Sequence, residues 1–226
     1  MNEDTIAAIS TPIGAGGIGI IRISGSDAIA AVDQVFIGKN GLADAKSHTI
    51  HFGHIAEEKN VIDEVLVSVF RAPRSYTTED VVEIQSHGGL YVMQRILSLL
   101  FSNGVRPAEP GEFTKRAFLG GRIDLSQAES VMDIIGAENE RMLKNSERQL
   151  SGALSRDLRS MRGEILHEVA FIEAALDDLE HYDLDGYPKM LSEKISSWQI
   201  ALSKLIASAS DGRLLKDGIR TVIVGK

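Results

Sequence analysis

The sequence has 226 residues and a mass of 24.5 kDa with 43% hydrophobic residues, enough to fill one large core or two modest ones. Its net charge of −8 is shared evenly, with 10 basic and 14 acidic side chains in residues 1–118 and 14 and 18 in residues 119–226, so neither part is a basic nucleic-acid arm. The absence of cysteine excludes a disulfide framework, a thiol nucleophile and a zinc-thiolate site, and an acidic N-terminus with no long apolar run sets the expectation of a cytoplasmic protein with no membrane segment.

Residues 5–10 form a short β-favouring run that leads into a glycine-rich segment, where Gly14, Gly16 and Gly19 formally satisfy G-x-G-x-x-G. That motif marks a dinucleotide site only when the glycine turn opens a helix. Here it opens the β-branched, alternating residues 18–24, so the context fails and the glycines are expected to serve a tight loop or a close approach. Ser26 can cap a helix over residues 27–36, with Ala28, Val32 and Phe36 on one face. Residues 48–56 and 63–71 read as a β-hairpin joined around Glu58, Lys59 and Asn60. His48, His51 and His54 are spaced by three, which sends successive imidazoles to alternate faces of a strand and argues against a three-histidine metal site.

A strand over residues 81–85 follows, with Glu83 set between apolar neighbours. It is either an outward, solvated residue or a carboxylate held in a pocket to accept hydrogen bonds. An amphipathic helix over 90–101 and a short strand over 105–109 complete the order β, β, α, β, β, β, α, β, which predicts an α+β domain with one sheet face covered by helices. Residues 110–131, PGEFTKRAFLGGRIDLSQAESV, form a polar junction, turned at Pro110 and Gly111 and broken at Gly120 and Gly121. Beyond it the spacing predicts helices over 127–136, over some thirty residues from Leu150, and over 191–209, the last closed by Asp211 and Gly212. An acidic loop near Gly186 fails as an EF-hand, because His181 and Ser192 would occupy ligand places. The β-type run 221–224 then delivers Gly225 and Lys226.

Three strings, residues 12–25 (PIGAGGIGIIRISG), residues 78–89 (TEDVVEIQSHGG) and the junction itself, resemble in order the segments of the bacterial and organellar tRNA modification GTPases known as MnmE or TrmE. The resemblance implies an N-terminal tetrahydrofolate-binding and dimerisation domain over 1–118, with the α+β fold of the folate-binding part of aminomethyltransferases. It further implies the first part of an all-α helical domain over 119–218, and the first strand and start of the P-loop of a Ras-like GTPase domain over 219–226. Gly225 matches the first P-loop glycine, whereas Lys226 falls at a variable place and is not the phosphate-binding lysine, so the chain is expected to be a piece of a longer polypeptide with no catalytic residue of its own.

The family's folate contacts fall on Arg22, Glu83 and Arg122, for a 5-formyl- or 5,10-methylene-tetrahydrofolate. In the full-length protein the resemblance implies GTP, Mg2+ and K+, a homodimer formed by the N-terminal domain, and a flavin-dependent partner, MnmG. Together the two proteins would add an aminomethyl or carboxymethylaminomethyl group to C5 of the wobble uridine of certain tRNAs. Two departures from the family pattern are Gly120, where asparagine is usual, and Ser86, where cysteine or glycine is common. A dimerisation scaffold without a ligand, and a free-standing folate-dependent one-carbon transferase, are the alternatives.

Overall fold

The computed structural model describes residues 4–14, 16–178, 181–182, 184–217, 222 and 224–225, in two units that divide between Leu125 and Ser126. In the first unit the strands are β1 (Ile6–Ile9), β2 (Gly19–Ser24), β3 (Phe36–Gly38), β4 (Thr49–Glu57), β5 (Asn60–Phe70), β6 (Val81–Ser86) and β7 (Arg106–Pro107), with β2, β5 and β6 rich in Val and Ile. They make one sheet in the order β3-β4-β5-β6-β2-β1-β7, antiparallel except for the β1–β7 pair. Period-two alternation sends Ile21 and Ile23 of β2, Val65, Val67 and Val69 of β5, and Val82 and Ile84 of β6 to one face. There they bury against Ala28 and Val32 of α1 (Ala28–Asp33) and against Met93, Ile96 and Leu100 of α2 (Leu90–Ser102), spaced for one helix face. Each of the larger side chains contributes roughly 1.5–3 kcal/mol by leaving water. The unit is the α+β domain that the sequence predicts.

Three local expectations need correction. The first helix ends at Asp33, not Phe36, because Phe36 instead opens β3 and pairs with Ile55 at the sheet edge. Strand β5 begins at Asn60, earlier than residue 63; a register shift between Ile55 and Ala56 breaks the alternation while the pairing continues to a tight turn at Glu58 and Lys59. The junction contains a helix, α3 (Glu112–Leu119), which starts from the left-handed Gly111. The glycine-rich loop makes the close approach expected of it. Its Gly16 carbonyl approaches Gly88 so closely that a Cβ there would stand 2.4 Å from the oxygen, so the loop is pressed against the segment that opens α2.

The second unit contains α4 (Leu125–Ile135), α5 (Glu140–Leu150), α6 (Ala153–Asp177) and α7 (Tyr187–Asp217). The thirty-residue helix expected from Leu150 is shorter: Gly152, with φ of 73°, separates α5 from α6. Helix α5 was not anticipated from the sequence; Asn139 caps it by accepting from the Met142 amide. Helix α7 continues through Asp211 and Gly212, which do not close it. Glu168 of α6 accepts from Lys194 at 2.5 Å and from the Tyr187 hydroxyl at 3.1 Å, both on α7. No described helix is long and apolar enough to cross a membrane. The predicted strand 221–224 falls partly outside the described residues, and Gly225 has no regular structure.

Candidate functional site

The register that builds the core also fixes what stands on the opposite face of the sheet. Ala8 pairs with Arg22, Arg22 with Glu83, Glu83 with Ser68 and Ser68 with Ile50, a single row across five strands. Arg22 and Glu83 are therefore cross-strand neighbours whose alternation keeps them off the buried face. Nε of Arg22 donates to Oε1 of Glu83 at 2.8 Å, and Nη2 lies in ion-pair contact with the same oxygen at 2.8 Å. Among the described residues the second oxygen, Oε2, has no protein donor. The pair is half-buried, with 27% of the Arg22 side chain and 19% of that of Glu83 exposed.

Two rings from outside the sheet approach this pair. The Arg22 guanidinium carbon lies 5.1 Å from the Tyr76 ring centroid and 5.7 Å from that of Phe113 on α3. The third candidate joins them there: the exposed Arg122 places its guanidinium carbon 4.9 Å from the same Tyr76 ring and donates from Nη1 to the Tyr76 carbonyl at 3.1 Å. The structure thus brings together Arg22, Glu83 and Arg122, and it leaves the fourth, Gly225, in the other unit.

A network of charged groups fixes the 71–80 loop that carries Tyr76. The buried Arg116 of α3 donates to both oxygens of Glu79 at 3.1–3.2 Å, to Oδ1 and the carbonyl of Asp4 at 2.9 Å, and to Glu112 at 3.1 Å. Glu79 in turn accepts from Ser24 at 2.7 Å, and Ser24 shares a 2.6 Å hydrogen bond with Thr77. Arg106 donates to Glu112 at 2.7 Å and to Asp4 at 2.7 Å. Hydrogen bonds from Arg106, assisted by the Glu109 amide and by Arg116, hold the Glu112 carboxyl down at about 2 against the desolvation that opposes them. Gly120 is part of the same packing: a Cβ there would meet Thr78 Oγ1 at 2.1 Å, so the departure from the family's asparagine matches a local close approach.

Sequence reasoning gave neither Tyr76 nor Phe113 a place at the site. Tyr76 sits in an irregular loop where no period points to a face. Glu112 and Arg116, four residues apart, could have been read as a helical ion pair had the helix been recognised.

Residues 5–122 match the family model of the GTP-binding protein TrmE N-terminus, and residues 125–221 match that of the MnmE helical domain. The chain is 52% identical over 227 residues to the tRNA modification GTPase MnmE of Listeria innocua, covering 100% of this chain and 50% of the relative. It is 51% identical over 227 residues to that of Listeria welshimeri and 50% identical over 229 residues to that of Lachnoclostridium phytofermentans, each at the same coverage. The chain spans about half the length of the curated relatives it matches.

Proposed function

The chain belongs to the TrmE/MnmE family, and from that membership we propose that it is the folate-binding and first helical portion of a tRNA modification GTPase. Residues 1–118 form the folate-binding and dimerisation domain, residues 119–218 the first part of the helical domain, and residues 219–226 the start of a GTPase domain. Acting in the cytoplasm with MnmG, the whole protein uses GTP, Mg2+ and K+ to modify the wobble uridine of certain tRNAs. The observation that carries the folate reading is the Arg22–Glu83 pair with one carboxylate oxygen left open beside two further cationic and aromatic groups.

That donor set fits a reduced folate. A pterin presents amide-like and amino N–H groups, and a half-buried carboxylate with a vacant oxygen accepts them in charge-assisted bonds. Arg122 has no carboxylate partner among the described residues, so its charge is available to a carbonyl oxygen or to the glutamate tail. A bound 5-formyl- or 5,10-methylene-tetrahydrofolate supplies the one-carbon unit. Calorimetric titration of 5-formyl-tetrahydrofolate into the protein tests the assignment, and no detectable binding to the full-length protein would overturn it.

Two further outcomes follow from the same reading. The 226 residues contain no complete G-x-x-x-x-G-K-S/T, so neither a phosphate-binding lysine nor the magnesium-binding hydroxyl is present, and this chain alone is expected to hydrolyse no GTP. Saturable phosphate release by the purified chain would contradict this. Dimerisation is expected to use the sheet face, where Ile50, Phe52 and Leu66 are 64%, 60% and 40% exposed and Phe52 pairs with Leu66. Sedimentation should show self-association that Phe52→Glu weakens, whereas a strictly monomeric wild-type chain at high micromolar concentration would count against it.

A further inference from the structure

Folate contacts account for Arg22, Glu83 and Arg122 but not for the ring on which both guanidiniums rest. Two cations drawn to one aromatic side chain repel each other unless something offsets their charge. Glu83 neutralises Arg22, but no described carboxylate pairs with Arg122, and the negative face of the Tyr76 ring is the group common to both. The ring is itself held. Its hydroxyl shares a 3.0 Å hydrogen bond with Thr114 on α3, and the neighbouring Ser75 and Thr77 are fastened to Glu79 and Ser24 at 2.5 and 2.6 Å. A long, flexible arginine placed against a fixed ring loses its freedom before a ligand arrives, which is the condition for tight binding.

We propose that Tyr76 is a positioning residue whose aromatic face holds the Arg22 and Arg122 guanidiniums in their binding arrangement. The identity of the ligand rests on the folate reading above; the preorganisation does not. The π face is the active feature, so Tyr76→Phe keeps it and loses only the hydroxyl contact to Thr114, whereas Tyr76→Leu removes it.

Two measurements on the full chain test this. In the ligand-free protein, the side-chain proton resonances of Arg22 and Arg122 should be shifted upfield by the ring, with the shift kept in Tyr76→Phe and lost in Tyr76→Leu. In calorimetric titration with 5-formyl-tetrahydrofolate, Tyr76→Phe should bind within about twofold of wild type and Tyr76→Leu roughly five- to thirtyfold more weakly, the size of two cation–π contacts. In an Arg122→Ala background the Tyr76→Leu loss should shrink, as a residue acting through the arginine requires. Unshifted arginine resonances in wild type overturn the proposal, and so does equal binding by wild type and Tyr76→Leu, or a Tyr76→Phe defect as large as that of Tyr76→Leu. Should Tyr76→Leu fail to fold, the wild-type and Tyr76→Phe spectra still decide. If wild type binds no folate, the functional reading fails while the resonance shifts continue to judge the role of Tyr76.

Discussion

Glu83→Ala is expected to weaken binding of a reduced folate about tenfold to more than a hundredfold, because charge-assisted hydrogen bonds of the kind its carboxylate can accept contribute roughly 1.5–3 kcal/mol. The geometry adds a second reason. Arg22 hydrogen-bonds and ion-pairs with Oε1 of Glu83, so removing the carboxylate also frees the guanidinium from its only charged partner among the described residues. Glu83→Gln preserves the shape and abolishes the charge, and should fall between wild type and alanine. Arg22→Ala should weaken binding through the cationic contact, while Glu58→Ala, on the exposed hairpin turn, serves as the control. Titration calorimetry across this series decides the assignment. Equal, measurable affinity in wild type and Glu83→Ala would make Glu83 a solvated strand residue.

Glu112→Gln is expected to destabilise the first unit by about 2–3 kcal/mol at neutral pH, as the shift of its carboxyl from 4.5 to about 2 sets a ceiling of about 3 kcal/mol. The carboxyl is only 6% exposed, so solvent screening does little to reduce this. Folding favours the ionised form, so the contribution is fully present above about pH 4.5 and is lost as the pH falls through about 2. Asp4, lowered chiefly by its hydrogen bond from Arg106, works in the same direction. Wild type should therefore lose stability on acidification through that window, and Glu112→Gln should lose less. Trp198 reports on the helical unit, so amide hydrogen exchange in β6 is the suitable probe for the sheet. An unchanged β6 exchange rate in Glu112→Gln at neutral pH would show that the network around Arg116 does not hold the unit together.

Much of the architecture was legible because its signals are local. Alternating Ile and Val over β2 and β6 determined both strands and their buried face, and a strand after the glycines ruled out a dinucleotide turn. Apolar spacing of three and four placed α4, α6 and α7, though not their ends. The misses also have local causes. Phe36 satisfies a helical face as well as a strand edge, and only its pairing with Ile55 chooses between them. Helix α5 carries both an amphipathic period and an asparagine cap, and it was missed all the same. Glycine tolerates both a helix interior and a break, so nothing in the residue itself distinguished Gly152, which separates two helices, from Gly212, which does not.

By itself the sequence placed Glu83 on a strand between apolar neighbours, and the resemblance carried by its motifs set the expectation that it belongs with Arg22 and Arg122. It could not decide whether that carboxylate is solvated or held in a pocket, because period places a residue on a face but does not name its neighbours. Arg22 and Glu83 are 61 residues apart, and only the antiparallel β2–β6 register makes them partners. Tyr76 and Phe113 reach the same place from a loop and a helix whose positions depend on Asp4, Glu79, Glu112 and Arg116, charges contributed by three separate stretches of the chain. Long-range ion pairs leave no periodic trace in sequence, since each member alone reads as an ordinary surface charge. Tertiary structure decided the environment of the site for that reason.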